Sequence, residues 1–359
     1  MHMTQQAAAP STLPISILDL VGLHPGESAN AAIVRSVDLA RHAESLGYTR
    51  FWLAEHHSIA GLACSATSVL IGHVAGATST IRVGSGGIML PNHAPLVVAE
   101  QFGTLASIYP NRIDLGLGRA PGGDFSTMQA LRRDLAQTGD DFPQLLHELQ
   151  TYLADPNSGQ RVHAFPGEGT KVPITILGSS TYGASLAAVL GLPYAFAAHF
   201  APQALFAAAQ IYLRDFRPNN GSFGPALAKP HLIVAIPLIA AETDAEAQRL
   251  FTTPQQRFLR LIRNQPVESL PPVDPKAMDQ LWHPHEREAV DARLAQAIVG
   301  SESTVKAGLE LLLHQTHASE IIAVTDTYEH TARLDSYSRL ANIAKTIHIG
   351  AADRTEVPA

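Results

Sequence analysis

The sequence contains only one cysteine, Cys64, among its 359 residues, so no disulfide can form within the chain. This scarcity fits a reducing compartment, and we expect a cytoplasmic protein. The first residues lack the basic start and apolar core of a secretory signal peptide, and residues 1–14 are predicted to be disordered or tag-like. No uninterrupted apolar run is long enough to cross a bilayer, so no membrane association is expected.

Charged residues are also scarce, at 16% of the chain, whereas hydrophobic residues reach 46%. This balance supports a large buried core and argues against disorder. The net charge of -7 gives no electrostatic reason to expect nucleic acid or an anionic membrane as a partner. Neither a GxGxxG fingerprint nor a GxxxxGK[ST] loop occurs, which argues against a Rossmann dinucleotide site or a nucleoside-triphosphate site.

The chain alternates short β-branched runs with longer amphipathic stretches. Eight short runs are predicted to be strands: Ile15–Leu20, Phe51–Ala54, Ile81–Gly84, Ile113–Leu117, Ile174–Leu177, Tyr194–Ala198, Leu232–Ile239 and Ile321–Val324. Strands that alternate with helices form parallel sheets, and eight such units favour a (β/α)8 TIM barrel over an open doubly wound sheet, which the pattern also allows. We predict one domain over 15–350, with insertions at about 120–172 and 265–300 and a tail at 351–359.

Ligands of such barrels bind where the carboxyl ends of the strands meet. Polar residues or glycines follow five of the predicted strands. They are Glu55-His56-His57, Gly84-Ser85-Gly86-Gly87, Gly116-Leu117-Gly118-Arg119, Gly178-Ser179-Ser180-Thr181 and His199. The sequence therefore predicts a site at one rim of the barrel.

An anion site is predicted where the turn from Gly178 to Thr181 enters a helix. Free backbone N–H groups at a helix N-terminus bind anions, and Ser179, Ser180 and Thr181 add hydroxyls. Arg119, from the neighbouring strand end, can pair with the same anion. Together these residues indicate a phosphate-bearing cofactor. The alternative is that Ser180 or Thr181 only caps the helix.

The Glu55-His56-His57 motif suggests acid–base chemistry, because histidine exchanges protons near neutral pH. Adjacent strand residues point to opposite faces, so only one of the two histidines can face the barrel interior. Glu55 can orient an imidazole, although a purely structural histidine remains an alternative. A metal site from His56, His93 and His199 is conceivable, but no HxH or HExxH spacing supports it, and we predict no metal.

Small residues at the rim have two interpretations. Gly86-Gly87 either allows a flat ring to approach the backbone or forms an ordinary bulge. Cys64 is expected to be a small core residue, because no group that would activate it as a nucleophile is identifiable.

Several stretches carry a family resemblance. They are FWLAEHH (Phe51–His57), IRVGSGGIMLPNHAPLVVAEQFGTLASIYPNRIDLGLGRAPG (Ile81–Gly122), ILGSST (Ile176–Thr181), VGSESTVKAGLELLL (Val299–Leu313) and YEHTARLDSYSRLA (Tyr328–Ala341). On these stretches the sequence resembles the luciferase-like monooxygenases from about Ile15 to Ile347.

The resemblance implies a luciferase-like (β/α)8 fold with FMN at the barrel rim. It implies a flavoprotein that uses reduced FMN and O₂ to oxidise a small organic substrate. A separate NAD(P)H:flavin reductase would supply the reduced FMN, since this chain has no nicotinamide fingerprint. A homodimer is also implied, to which Val97, Val98, Phe102 and Leu105 could contribute, although the same spacing would serve packing against the barrel.

The resemblance also assigns roles to individual residues. His56 matches the family's catalytic histidine, as proton donor or as stabiliser of the oxidising flavin, with Glu55 orienting it. Gly86-Gly87 matches a small pair that a non-proline cis bond joins beside the flavin ring. Arg119 and Ser179/Ser180 match positions that hold the flavin phosphate.

This chain departs from luciferase itself at two places. Luciferase has alanines where Gly86-Gly87 stand and a reactive cysteine where Gly118 stands. Light emission is therefore not predicted. Three alternatives remain at this point: a deazaflavin-dependent dehydrogenase on the same fold, a non-catalytic flavin-binding subunit, and a metal-dependent hydrolase.

Overall fold

The computed structural model describes residues 11–120, 125–131, 141–221 and 224–349. Within these ranges the strands are β1 (Ser11–Thr12), β2 (Ile15–Asp19), β3 (Arg50–Leu53), β4 (Arg82–Met89), β5 (Ile113–Gly118), β6 (Ile174–Gly178), β7 (Tyr194–Ala197), β8 (Leu232–Ala240), β9 (Ile298–Gly300), β10 (Glu320–Val324) and β11 (His348–Ile349). Strands β2 to β8 pair in order, and β10 pairs with both β2 and β8. All of these pairs are parallel, so eight strands close into a barrel and the open-sheet alternative is excluded.

Helices follow the barrel strands. In the described residues they are α1 (Ala29–Leu46), α2 (Thr67–Ala77), α3 (Pro95–Ile108), α4 (Phe125–Leu131), α5 (Phe142–Leu153), α6 (Thr181–Leu190), α7 (Leu205–Asp215), α8 (Asp244–Ile262), α9 (Pro275–Leu281), α10 (Pro284–Arg293), α11 (Glu302–Thr316) and α12 (His330–Ala344). No helix of this described part is long and apolar enough to cross a membrane.

Helix α1 illustrates why the predicted boundaries hold. The Ser28 hydroxyl accepts a hydrogen bond from the Ala31 N–H and so caps the first turn. Gly47 ends the helix with φ 83°, a left-handed conformation that glycine adopts without strain. Between these residues, Val37 and Leu39 are among those that turn towards the core.

The interior of the barrel is apolar along most of its length. All nine residues of β8 are buried, as parallel strands covered on both faces require. At the floor, where the strands begin, a buried ionic cluster replaces apolar packing. Arg50 Nε lies 2.8 Å from Glu320 Oε1, and its Nη1 lies 2.9 Å from Asp114 Oδ2. His231 Nε2 lies 3.1 Å from the other Glu320 oxygen. The cluster satisfies two buried carboxylates and fills the floor.

The segment before β2 is more ordered than predicted. Residues 11–14 lie within the segment predicted to be disordered or tag-like, but β1 pairs antiparallel with β11 and Leu13 is buried in the core. Backbone pairing and apolar burial explain the order. Residues 1–10 and the predicted tail at 351–359 lie outside the described residues.

The two predicted insertions contain secondary structure. The first holds α4 and α5, and residues 121–124 and 132–140 within it lie outside the described part. The second holds α9, α10 and the short strand β9, which extends the edge of β8. The second insertion also reaches the rim: the N–H of Ser269 donates to the Leu23 carbonyl at 2.8 Å.

Most of the apolar residues considered for a dimer interface pack inside this chain instead. Val98, Phe102 and Leu105 of α3 are buried within this chain, and only Val97 is exposed. Three of the four side chains therefore pack against the barrel, as the alternative interpretation of their spacing allows.

Candidate active site

The predicted rim residues do lie at one end of the barrel. Glu55 to His57 follow β3, Gly86-Gly87 lie in the second half of β4, and Arg119 follows β5. The turn from Gly178 to Thr181 follows β6, and His199 follows β7. Because all barrel strands are parallel, these carboxyl ends share the same rim.

Arg119 and the start of α6 are in contact. The Arg119 guanidinium carbon lies 4.3 Å from the centre of the Tyr182 ring, a cation–π distance. Tyr182 is the second residue of α6. Both side chains are exposed, so the charge of Arg119 stays accessible to solvent or ligand beside the helix N-terminus.

Ser180 occupies the N-cap position of α6, but its side chain makes no capping hydrogen bond. Its carbonyl instead accepts a bond from the Tyr194 hydroxyl at 3.0 Å, which fixes the turn. The first amides of a helix have no intrahelical partner, so the N–H groups that follow Ser180 can bind an acceptor. The simple capping role considered for Ser180 is therefore absent, and an anion can be held here by amides, hydroxyls and Arg119.

The peptide bond between Gly86 and Gly87 is cis, and the pairing of β4 with β5 shifts register between Ser85 and Ile88. The register shift agrees with the bulge interpretation, and the approach of a flat ring to this pair stays a prediction. A Cβ on Gly86 would lie 2.7 Å from Leu18 Cδ1, and one on Gly87 would lie 2.8 Å from the Gly116 carbonyl oxygen. The backbone contact restricts position 87 to glycine, whereas at position 86 the Leu18 side chain would have to move.

Glu55 is buried and joins two histidines other than His56. Its Oε1 lies 2.7 Å from His57 Nε2 and 2.8 Å from His93 Nε2, and its Oε2 accepts from the Met89 N–H at 3.2 Å. Burial raises the pKa of the Glu55 carboxyl, but the two histidines outweigh burial and leave that pKa below its usual value. The expectation that Glu55 orients His56 differs from this geometry, because its hydrogen-bonding capacity is directed to His57 and His93.

His56 and His199 are two rim imidazoles whose pKa values lie below the ordinary value. Burial lowers the pKa of His56, and proximity to Glu55 only partly offsets it. Burial also lowers the pKa of His199, to about 4, with the charge of His56 adding to the effect and the Ala235 carbonyl opposing it. Both rings are therefore neutral near pH 7, and a neutral imidazole can donate or accept one hydrogen bond at each nitrogen.

The one set of side chains in the described ranges with the spacing of a metal site is Glu55, His57 and His93, whose ligand atoms lie within 4.8 Å of one another. This set differs from the His56, His93 and His199 combination considered from sequence. Both histidines already share the single oxygen Oε1 of Glu55. The short hydrogen bonds account for the cluster without an ion.

Cys64 is fully buried, and burial raises the pKa of its thiol to about 12. A thiol with that pKa is protonated at neutral pH and is a poor nucleophile. The expectation of a small core residue agrees with this environment.

Sequence reasoning missed a cavity on the other side of the rim, between the ends of β2, β8 and β10 and helix α8. Its polar wall includes Asp19, Arg257, Asp326 and Arg333. Asp19 ends one strand and Asp326 follows another, so the rule that found the other rim residues could have found these two. Arg257 lies in the middle of α8, where no sequence signal distinguishes it from a surface charge.

Comparison with known proteins agrees with this architecture. A model described as luciferase-like monooxygenase matches residues 13–320. The Bacillus subtilis protein YvbT is 49% identical over 92% of this chain and 96% of its own length. An Escherichia coli K12 protein named luciferase-like monooxygenase is 46% identical over 94% of this chain and 98% of its own. The crystal structure of apo-MsnO8 superposes with a TM-score of 0.83 at 36% identity, covering 94% of this chain and 99% of that one.

More distant solved structures share the fold alone. The oxygenating constituent of 3,6-diketocamphane monooxygenase from Pseudomonas putida, solved in complex with FMN, has a TM-score of 0.68 at 18% identity and covers 94% of this chain and 99% of its own. An F420-dependent secondary alcohol dehydrogenase has a TM-score of 0.63 at 13% identity, covering 93% and 99%. The same barrel therefore accommodates both kinds of cofactor in other proteins.

Proposed function

Since the chain belongs to the luciferase-like monooxygenase family, we propose that it is a flavin-dependent monooxygenase that uses reduced FMN and O₂ to oxidise a small organic substrate. The observation that carries the proposal is the contact between Arg119 and Tyr182 at the N-terminus of α6. It gathers a cation, free helix amides and hydroxyls at one point of the rim.

The residues at this point fit a phosphate. In the proposal Arg119 contributes charge, and Ser179, Ser180 and Thr181 contribute hydroxyl and amide donors. Gly178 precedes them at the end of β6 and is proposed to contribute its backbone to the same turn. Such a donor set suits a phosphate monoester of the kind that FMN carries.

The glycine pair fits the flat ring of the same cofactor. Gly86 and Gly87 leave no side chain between the end of β4 and the mouth, so an aromatic ring can approach the backbone. Bound reduced FMN would supply the electrons that activate O₂, with one oxygen atom passing to the substrate and the other leaving as water.

The chain's own contribution to the chemistry is assigned to His56. Its neutral imidazole can hold or donate a proton at a ring nitrogen inside the mouth. Glu55 is proposed to act indirectly, by fixing His57 and His93 beside His56. The burial that lowers the pKa of His56 keeps the ring uncharged at neutral pH.

Two partners complete the proposal. The sequence lacks a nicotinamide fingerprint, so a separate NAD(P)H:flavin reductase is proposed to supply reduced FMN. A homodimer is proposed through α2 and α3, where Val69, Val97 and Ile108 are exposed apolar side chains. Sedimentation of wild type and Val69→Asp tests the dimer: the proposal requires a dimer that the charge weakens.

The test of the function is an anaerobic titration of pure protein with reduced FMN, followed by mixing with oxygenated buffer. We expect saturable binding and an O₂ reaction whose rate differs from that of free reduced FMN. Failure to bind reduced FMN overturns the proposal. Oxygen uptake by the isolated chain distinguishes an enzyme from a non-catalytic flavin-binding subunit.

A deazaflavin-dependent dehydrogenase on the same fold is distinguished by competition. Reduced FMN and the reduced deazaflavin F420 are titrated against each other on the same protein. The proposal expects FMN to bind more tightly, and preferential binding of F420 with hydride transfer to a substrate would replace it. Elemental analysis of the purified protein tests the metal-dependent hydrolase, which requires a stoichiometric metal ion.

A further inference from the structure

The cavity at the ends of β2, β8 and β10 lies across the barrel mouth from the proposed phosphate site. In the closed strand order, the junction of β5 and β6 lies opposite the junction of β10 and β2. Arg119 and α6 belong to the first junction, whereas Asp19 and Asp326 belong to the second. A ligand in the cavity would therefore bind on the opposite side of the barrel mouth from the cofactor's phosphate.

The cavity has an apolar wall and a polar wall. Helix α8, the neighbouring strands and the end of α10 supply the apolar wall, which includes Ile239, Phe251, Phe258, Leu294 and Val324. The space open to the centres of water-sized molecules is about 80 Å³. One water needs only ~10–15 Å³ by the same measure, so the cavity has room for more than a single water.

The charges on the polar wall are largely balanced. Arg333 Nη2 lies 2.9 Å from Asp19 Oδ1, and Arg257 Nη1 lies 2.9 Å from Asp326 Oδ2. Arg35, the third arginine of the wall, pairs with Glu27. The ion pairs hold the arginines in fixed orientations, so recognition depends on the donors that the pairs leave unused.

Unused polar atoms are concentrated here. Eight buried side-chain polar atoms of the described residues lack a hydrogen-bond partner, and four of them belong to residues that line this cavity. Two of the four groups have a polar neighbour. Ser36 lies beside Asp19 and lowers its pKa, and the Ala235 carbonyl lies beside His199 and raises its pKa. Arg257 Nε and His330 Nδ1, on two residues that line the cavity, have no such neighbour in the described residues.

Neighbouring side chains hold both terminal nitrogens of the Arg257 guanidinium. Its Nη2 donates to the Ser269 hydroxyl, which in turn donates to Asp326 Oδ1 at 3.1 Å. The N–H on Nε is buried and has no hydrogen-bond partner among the described residues. A guanidinium can only donate, so its missing partner is an acceptor, and a buried unpaired donor costs free energy until one arrives.

We propose that this cavity binds the organic substrate of the proposed monooxygenase and that Arg257 Nε donates a hydrogen bond to an oxygen of that substrate. The substrate class is a small molecule with an apolar body, which packs on Phe251 and Phe258, and a carboxylate or amide oxygen, which faces Arg257. The inference rests on the proposed function for the identity of the reaction, but the binding site stands on the cavity's own geometry.

The test measures binding of three probes of similar size to the flavin-free protein by calorimetry or ligand-observed NMR. Phenylacetate and phenylacetamide carry the oxygen with and without charge, and ethylbenzene carries none. We expect at least one oxygen-bearing probe to bind more tightly than ethylbenzene. The two oxygen probes also separate a charged from an uncharged substrate class.

Variants then assign the effect to Arg257. Arg257→Met and Arg257→Lys should weaken binding of the oxygen-bearing probe about tenfold or more and leave ethylbenzene binding unchanged. Arg257→Lys keeps a positive charge beside Asp326 and serves if the methionine variant does not fold. Arg249→Met, an exposed position on the same helix, is the matched control. Equal binding of all three probes, no binding of either oxygen-bearing probe, or wild-type affinity in both Arg257 variants overturns the proposal.

Flavin binding separates this inference from the proposed function. Reduced FMN should bind the Arg257 variants as it binds the wild type, because Arg257 lies across the mouth from Arg119. A wild type that binds the oxygen-bearing probe but not reduced FMN would overturn the proposed function alone. A wild type that binds reduced FMN but not the probe would overturn only the substrate inference.

Discussion

Arg119 lies with its guanidinium carbon 4.3 Å from the centre of the Tyr182 ring, so the end of β5 contacts the first turn of α6. This stacking orients the cation beside free helix amides without neutralising it. No carboxylate within the described residues pairs with Arg119. The proposed phosphate site therefore depends on this side chain more than on any hydroxyl around it.

Arg119→Gln is expected to weaken binding of reduced FMN about 10- to 100-fold, since a charge-assisted bond to phosphate is lost. Reduced riboflavin, which lacks the phosphate, should bind the variant and the wild type alike. Anaerobic fluorescence titration measures both ligands, with the exposed Arg41→Gln as control. Equal losses for the two flavins would contradict a phosphate role for Arg119.

His56→Ala is expected to slow the O₂ reaction of the bound reduced flavin about 10²- to 10⁴-fold, the usual range for one proton-transferring group. Because burial lowers the pKa of His56, the wild-type rate should change with pH only at a lower pH than the titration of an exposed histidine predicts. Stopped-flow absorbance across pH measures this rate. The exposed His73→Ala is the control, and a rate unaltered in His56→Ala would remove the catalytic role.

His199 should make the protein sensitive to acid. Its pKa is about 4 in the folded state and about 6.5 in the unfolded state, because burial disfavours the charged ring. Between these values the unfolded chain binds the proton more readily, so stability falls as the pH decreases from about 6.5 to about 4.

The effect is measured by urea unfolding at several pH values. In that window, His199→Asn should reduce the slope of unfolding free energy against pH by up to one proton, ~1.4 kcal/mol per pH unit. His73→Asn, at an exposed position, should leave the slope unchanged. An identical slope in wild type and His199→Asn would show that the ring is solvated.

Gly87→Ala tests the close approach of β4 to β5. The new methyl group would lie 2.8 Å from the Gly116 carbonyl oxygen, and backbone cannot move aside easily. We expect a loss of about 1–3 kcal/mol in unfolding free energy, typical of overpacking. Gly178→Ala on the same rim is the control, because its Cβ would come no closer than 3.7 Å to another atom. Equal stability of both variants would contradict the packing.

Arg50→Met tests the floor cluster. It leaves Glu320 and Asp114 buried without their shared cation, and breaking a buried ion pair costs about 3–5 kcal/mol. Burial raises the pKa of Glu320, but Arg50 and His231 outweigh burial and bring it to about 2. The carboxylate's contribution is therefore complete above its ordinary value of 4.5 and is lost as the pH falls towards 2.

Thermal and urea unfolding of Arg50→Met give the loss, and repeating them between pH 3 and 7 gives its pH dependence. The difference from wild type should be largest at neutral pH and shrink in acid, where Glu320 is protonated. Arg214→Met, at a surface ion pair with Asp215, should change stability little. A small, pH-independent loss for Arg50→Met would contradict the assigned role.

Alternation of short apolar runs with amphipathic stretches predicted the eight parallel strands and favoured a barrel, but closure itself is seen only in the pairing of β10 with both β2 and β8. The strand β9 was not predicted, because a strand of three residues is too short to show a periodic pattern of apolar residues. The ordered structure of residues 11–14 was not predicted either. It depends on pairing with the far end of the chain, and sequence spacing gives no register between β1 and β11.

The position of the rim site was predictable from the sequence, but the contacts among its side chains were only partly predictable. Strand-end polarity identified Glu55 and its neighbour His57, but the contact of Glu55 with His93 depends on the path of the chain after β4, which propensity does not encode. Arg257 was not predictable, because a charged residue in an amphipathic helix usually faces solvent. Folding of the second insertion over the rim brings Ser269 next to it, and the segment after β10 brings Asp326.

The pairing of Ser11–Thr12 with His348–Ile349 joins the two described ends of the chain beside the floor. These two described segments therefore lie at the opposite end of the barrel from the ligand mouth. A fusion partner at either end, such as a flavin reductase on a flexible linker, would leave the mouth unobstructed. The same neighbourhood allows a short peptide to join the two ends and new termini to be opened in a surface loop elsewhere.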